Sequence, residues 1–257
     1  MRSLRFLGAL VATSLKVSVA HRAAFLMQAV FMALNNLLFF STWWILFARF
    51  DHVGGYRLHD MLLLFGVTAS GFGLAVVLCG GTIELARAIA DGDLDAFLAQ
   101  PKNVLVRAIA SRSVASGWGD IVSGVALIGF SDPARLRWAP VAIVLTALGF
   151  VASACVVHSS AFWLGRVDGL ARTFMELIMT FSLYPPPLFG LGLRMVLFTI
   201  LPAGVIAYLP VELLRAPGLR TLTTAVLGVS VYVALAAWVF QRGLRNYASG
   251  SRFGALG

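Results

Sequence analysis

The sequence predicts an all-α membrane protein: six transmembrane helices, an N-terminal interfacial amphipathic helix, and a re-entrant element before the last span. Three observations carry this reading. The 257 residues are 60% hydrophobic and only 12% charged, whereas a soluble domain is about 45–50% apolar and about 25% charged. Uncharged runs approaching or exceeding the roughly 20 residues of a spanning helix recur along the chain. The basic residues, 20 Lys+Arg against 11 Asp+Glu, fall mostly between those runs. A soluble enzyme is thereby excluded. The net charge of +9 reads as topology, because cytoplasmic loops are enriched in Lys and Arg. No nucleic-acid partner is expected, although a basic balance in a soluble chain would point to one.

Residues 2–22 form the first element. On a helical wheel Leu4, Leu7, Val11 and Leu15 share one face, and Arg2, Arg5, Thr13 and Lys16 share the other. That pattern lies flat in a membrane interface. The predicted spans are 23–48, 61–83, 113–131, 138–165, 173–193 and 221–241, with Asp120 interrupting the third and Glu176 the fifth. The shorter apolar run 195–211 carries Pro202 and Pro210. Broken backbone of that kind is tolerated at membrane depth only when buried in protein or lining a wet cavity. With a cytoplasmic N-terminus and a re-entrant 195–211, thirteen of the twenty basic residues lie inside and seven outside. If the run crosses, the split weakens to twelve and eight, so the charge rule favours six spans and two cytoplasmic termini.

The segment 84–112 is the one sizeable inner loop. Asp91 closes the extension of the second span, Gly92 breaks it, and Asp93 is positioned to cap a short helix over 94–99. Pro101 ends that helix and Asn103 caps the next. Leu94, Phe97 and Leu98 stand at i, i+3 and i+4, an apolar face, while Asp91, Asp93 and Asp95 make one end acidic. A short flat helix of this character suits docking to another protein.

Catalytic chemistry is sparse. The chain's two lysines, Lys16 after Leu15 and Lys102 after Pro101, cannot close the Gly-rich phosphate loop of a nucleotide hydrolase. Asp168-Gly169-Leu170-Ala171-Arg172 lacks the further aspartates that a metal-dependent lipid-headgroup transferase needs. His158 has no Gly-x-Ser-Gly partner motif, and His52 and His59 read as loop polarity, so neither a catalytic nor a metal site is expected. Cys79 and Cys155 lie in apolar runs and behave as small hydrophobes.

Asp120 and Glu176 are costly in lipid, about 2.5–3.5 kcal/mol each at a helix centre. They either line a translocation path or pair with a neighbouring arginine, as Glu176 could with Arg172 at i, i+4. In Tyr184-Pro185-Pro186-Pro187 the three prolines cannot continue a helix. With Pro202 they mark an outer gate or a plain helix end.

Taken in order, four segments resemble the permease subunit of type-2 ABC exporters, the ABC-2 family transporter proteins. They are the basic helix before span 1; Ile89-Ala90-Asp91-Gly92-Asp93-Leu94-Asp95-Ala96-Phe97-Leu98-Ala99-Gln100-Pro101; Tyr184-Pro185 with Leu201-Pro202 and Tyr208-Leu209-Pro210; and the ending Gly243-Leu244-Arg245-Asn246-Tyr247-Ala248-Ser249. The resemblance covers essentially the whole chain, read as one permease domain over 1–257 with a tail at 242–257. It implies a dimer with itself or a sister permease, and cytoplasmic ATP-binding subunits docked on the 94–99 coupling helix. ATP and Mg would be bound by that partner, with no cofactor in this chain. The implied location is a bacterial plasma membrane. The readings set against it are an ion-coupled transporter using Asp120 or Glu176, a membrane-embedded lipid-modifying enzyme, and a structural subunit. Short outer loops and apolar spans favour a hydrophobic or amphipathic substrate.

Overall fold

The computed structural model describes residues 12–14, 16–99 and 103–247. Residues 12–14 and 16–19 are helical, and a bend at Ala20 and His21 separates them from the next helix; residues 2–11 and 15 of the expected interfacial helix lie outside the described residues. The helices that follow are α1 (Arg22–Phe47), α2 (Leu58–Cys79), α3 (Leu85–Ala90), α4 (Asp95–Leu98), α5 (Val104–Ile109), α6 (Ser116–Ser131), α7 (Ala139–Ser159), α8 (Ala161–Leu164), α9 (Asp168–Ser182), α10 (Leu191–Thr199), α11 (Leu209–Arg215) and α12 (Leu219–Leu244). A 3-10 turn, Gly80–Glu84, joins α2 to α3. Among the described residues the only strand-like pairing is the bridge between Val53 and Tyr56.

Among the described residues four helical stretches are long and apolar enough to cross a membrane: Arg22–Phe47, Leu58–Ala90, Ala139–Leu164 and Leu219–Leu244. A fifth candidate is the pair Leu191–Thr199 and Gly204–Arg215, bent by 80°. α6 and α9 have 16 and 15 residues, about 24 and 22 Å at 1.5 Å per residue, against about 30 Å of hydrocarbon. The fifth predicted span is corrected at both ends. It starts earlier, at Asp168, whose carboxylate suits the positive end of a helix. It stops at Ser182, because Pro185, Pro186 and Pro187 admit only an extended residue and a 3-10 turn. The third begins at Ser116 rather than 113, after Val114 has turned its backbone N–H to the Val76 carbonyl of α2.

α2 is the hub. Most of it is buried, whereas α1 and α12 keep long apolar faces exposed. Glycine sets how closely α2 meets α6. A Cβ on Gly66 would lie 2.7 Å from the Gly124 carbonyl, and one on Gly73 would strike the Gly117 carbonyl. Small residues at such crossings let backbones approach where lipid supplies no hydrophobic drive. Gly71 meets α7 in the same way, at Thr146.

Side-chain contacts define two ends of the bundle. At one, Ser131 bonds His59, Arg135 donates to the carbonyls of Leu214 and Arg215, and Gly54 abuts Pro187. At the other, Arg166 pairs with Asp91 at 2.9 Å, Arg112 pairs with Glu84, and Ser14 donates to the Ala110 carbonyl at 3.2 Å. Phe162 stacks edge-on against Phe240 there.

The bent segment starts and finishes at the first end. Its approach, Pro187, lies against Gly54, and Arg194 donates to the Pro186 and Phe189 carbonyls. Its last residue, Arg215, reaches Asp60 at 2.8 Å and covers the Tyr56 ring at 4.5 Å. Between these points the chain dips inward. Pro202 and Ala203 are buried, Phe198 packs against Gly204, and a π-turn over Gly204–Tyr208 precedes Pro210. Pro210 has no N–H to continue a regular ladder, and a π-turn is a common local adjustment to such a gap.

Candidate functional site

The acidic loop after α3 is a built structure rather than a loose turn. Gly92 turns the chain at φ 87°, a region that costs other residues. The expected cap at Asp93 is not made: Leu94 takes the N-cap position without a side-chain bond, and α4 is a single turn. Asn103 caps α5 as expected, accepting from the Val106 N–H at 3.2 Å.

Leu94, Phe97 and Leu98 do not share one outward face. Leu94 is fully buried among Leu85, Ile89, Ala108, Phe162 and Phe240, whereas Leu98 is exposed. The reason is geometric: the chain leaves Gly92 pointing back under α3, so the first apolar residue fills the core. Burial of such a leucine contributes about 1.5–3 kcal/mol. Phe97 is half-buried, its ring 5.2 Å from the Arg107 guanidinium, which also donates to the Phe97 carbonyl at 2.8 Å. Asp91 is tied to Arg166. Asp91, Asp93 and Ala96 remain exposed beside Leu98. Pro101 lies outside the described residues. The Tyr247 phenol of the ending is pushed up to about 12, first by burial and then by the neighbouring carboxylates of Asp95 and Asp93. The loop is thus bound to α3, α5, the start of α9 and the end of α12.

Glu176 lines a cavity of about 510 Å³ between α2, α7 and α9. Arg172, Glu176 and Thr180 stand one turn apart along its α9 wall. Arg172 and Glu176 form no ion pair with each other, nor with any other described residue. Ile178 and Ser182, on another side of α9, are in the core. Phe72 and Phe150, edge-on at 5.3 Å, wall the cavity's apolar part, and His158 lines it while accepting from the Ala86 N–H at 3.4 Å. Glu176, exposed on the α9 wall, faces this cavity.

Asp120 is not part of that cavity. It is almost fully buried and accepts from Asn36 of α1 at 2.7 Å; the same amide donates to Ser123 at 3.0 Å. Its partner is therefore an amide rather than an arginine. Asn36 was legible only as a polar residue inside an apolar run, as Arg107 was only as one of several inner-loop cations.

Tyr184, Pro185 and Pro186 lie at the opposite end, whereas Pro202 sits on the inward dip of the bent segment. Tyr184 packs edge-on against Trp43 of α1 at 5.5 Å. Tyr208 donates to the carbonyls of Phe181 and Tyr184 at 2.8 and 3.1 Å, stitching the bent segment to the end of α9. Pro185 and Pro202 are buried. Sequence reasoning missed the anchors Tyr208, Arg215 and Asp60, because their partners are distant in sequence.

A family model described as ABC-2 family transporter protein matches residues 30–251. The chain belongs to the ABC-2 transporter family. It is a multi-pass membrane permease, a transport subunit by family. The matched stretch of this ABC-2 permease runs from α1 through α12 and includes the acidic loop, the cavity and the bent segment. No curated protein and no solved structure matches the chain significantly.

Proposed function

We propose that this permease is the membrane-spanning subunit of an ATP-driven exporter, working as a dimer on separate cytoplasmic ATP-binding subunits that hold ATP and Mg. The observation that carries the reading is the integration of the 91–99 loop. It leaves Leu98, Asp93 and Asp91 exposed for a partner, while Leu94, Arg107 and Arg166 tie it to the spans. A push on that loop is passed to a packed core, which responds as a unit. The 94–99 stretch acts as the coupling helix, and the α9 cavity is the inner part of the substrate path.

The contacts at the two ends also support six spans. α1, α2–α3, α6, α7–α8, α9 and α12 each run between the ends, with α6 and α9 short of a full bilayer. The 195–211 run re-enters, since Pro187 and Arg215 both meet the 54–60 stretch. The end holding the acidic loop is cytoplasmic, in a bacterial plasma membrane, and both termini lie on that side. Asp120 serves to fasten α1 to α6.

The test is co-purification with an ATP-binding subunit, followed by reconstitution of the complex in liposomes. ATP-dependent substrate movement is expected, with none by the permease alone. Movement that survives ATP depletion while a proton gradient is maintained would overturn the proposal in favour of ion coupling.

A further inference from the structure

The α9 cavity has a polarity gradient that specifies more than "hydrophobic". Its wall runs along α9 from Asp168 to Thr180, about 18 Å at 1.5 Å per residue. Charge gathers towards the acidic-loop end: Glu84, Arg87, Asp168 and Arg172, with Glu176 one turn further along α9. Phe72, Phe150 and Met179 line it further along their helices, and Met175 stands between Arg172 and Glu176. Of these charges, Glu84 is occupied by Arg112. Arg87, Arg172, Asp168 and Glu176 form no ion pair among the described residues. Two guanidiniums and two carboxylates therefore line one space without an ion pair, Arg87, Arg172 and Glu176 being exposed.

The space, about 510 Å³, falls within the usual range of about 300–1,000 Å³ for small-molecule sites, which are mostly apolar with a few placed polar groups. A cationic head would leave Arg87 and Arg172 uncompensated. An anionic head would do the same to Asp168 and Glu176. A head carrying both signs answers all four, and a single apolar tail fits beside Phe72 and Phe150. Guanidinium suits a phosphate in particular, through paired N–H donors.

We infer that this cavity binds a zwitterionic amphiphile: a phosphate and an ammonium on one polar end, and an acyl chain reaching towards Phe72 and Phe150. The inference rests on the cavity's assignment to the substrate path, and names the substrate class.

The test is photoaffinity labelling of the purified permease in nanodiscs, using lysophosphatidylethanolamine with a diazirine in its chain. Labelled peptides are expected within 58–79, 139–159 and 168–182. Unlabelled lysophosphatidylethanolamine should compete at least about five-fold better than monoacylglycerol or lysophosphatidylglycerol. Arg172→Gln and Glu176→Gln should each cut labelling several-fold with unchanged thermal unfolding, and Met175→Trp should block it by filling the space. Labelling outside these three peptides, equal competition by the neutral or anionic lipid, or full labelling of an Arg172→Gln, Glu176→Gln double variant would overturn the inference. The measurement needs neither ATP nor a partner. Selective labelling without ATP-driven movement would keep the ligand and remove the export reading. ATP-driven movement of another substrate, with no selective labelling, would do the reverse.

Discussion

Asn36 on α1 donates its side-chain amide to the Asp120 carboxylate on α6 at 2.7 Å, inside a region with almost no solvent contact. A helix with long exposed apolar faces is thereby held to the hub by a polar bond in an apolar setting. Removing the donor leaves a buried acceptor unsatisfied, a cost of about 1–3 kcal/mol. Asn36→Leu should therefore destabilise the protein by that amount in reversible unfolding. Asp120→Asn, which keeps an acceptor oxygen, should cost less than about 1 kcal/mol and preserve transport. Loss of transport with normal stability in Asp120→Asn would show a proton site instead.

Gly73 and Gly117 allow the α2–α6 crossing. Neither has room for a Cβ, and overpacking of this kind costs about 1–3 kcal/mol. Gly73→Ala and Gly117→Ala should each lower the unfolding midpoint. Gly169→Ala, where a Cβ meets nothing within 4 Å, should leave it unchanged. Equal stability of all three would refute the close approach.

Leu94 and Leu98 are four residues apart yet predict different phenotypes. Leu94→Ala should destabilise the fold by about 2–5 kcal/mol, the cost of a core leucine. Leu98→Ala should leave stability within about 0.5 kcal/mol while weakening stimulation of ATP hydrolysis in the assembled complex. A combined Leu94→Ala, Leu98→Ala variant confounds the two effects. If both single variants behave alike in thermal unfolding, the burial of Leu94 is wrong.

Tyr247 supplies a pH dependence. Its phenol is raised from 10.0 to about 12, so the folded state favours the protonated form. The stabilisation is complete below about pH 10, the unfolded value, and is lost as pH rises from there through about 12. In an ultraviolet titration of phenolate, Tyr247→Phe should remove one group from the late-ionising part of the curve. A titration unchanged by that substitution would contradict the assignment.

Much of this was legible beforehand. Apolar runs gave α1, α2, α7 and α12 their approximate places, because lipid demands long uninterrupted helices. Asn103 and Gly92 announced a cap and a break through local chemistry alone. The Leu94–Leu98 face was misread, because i, i+3, i+4 spacing shows that residues share a side but not which way that side points. α9 was placed too late, because Asp168 and Arg172 resemble loop residues until the cavity beside them is seen. Asn36–Asp120, Tyr208–Tyr184 and Arg215–Asp60 join residues 84, 24 and 155 positions apart, and no single-sequence pattern encodes such pairings.

The bent segment has a consequence for biogenesis. Gly54, Tyr56, Asp60, Arg135, Phe181 and Tyr184, which grip its two ends, all precede it in the chain. A ribosome delivers residues in order, at about 5–20 per second, so the docking surface is synthesised before the hairpin emerges. On the re-entrant topology proposed above, the hairpin then seats itself from one side of the bilayer without hauling a loop across, and α12 closes over it last. Arg215, released just before that closure, is placed to act as the latch of the final assembly step.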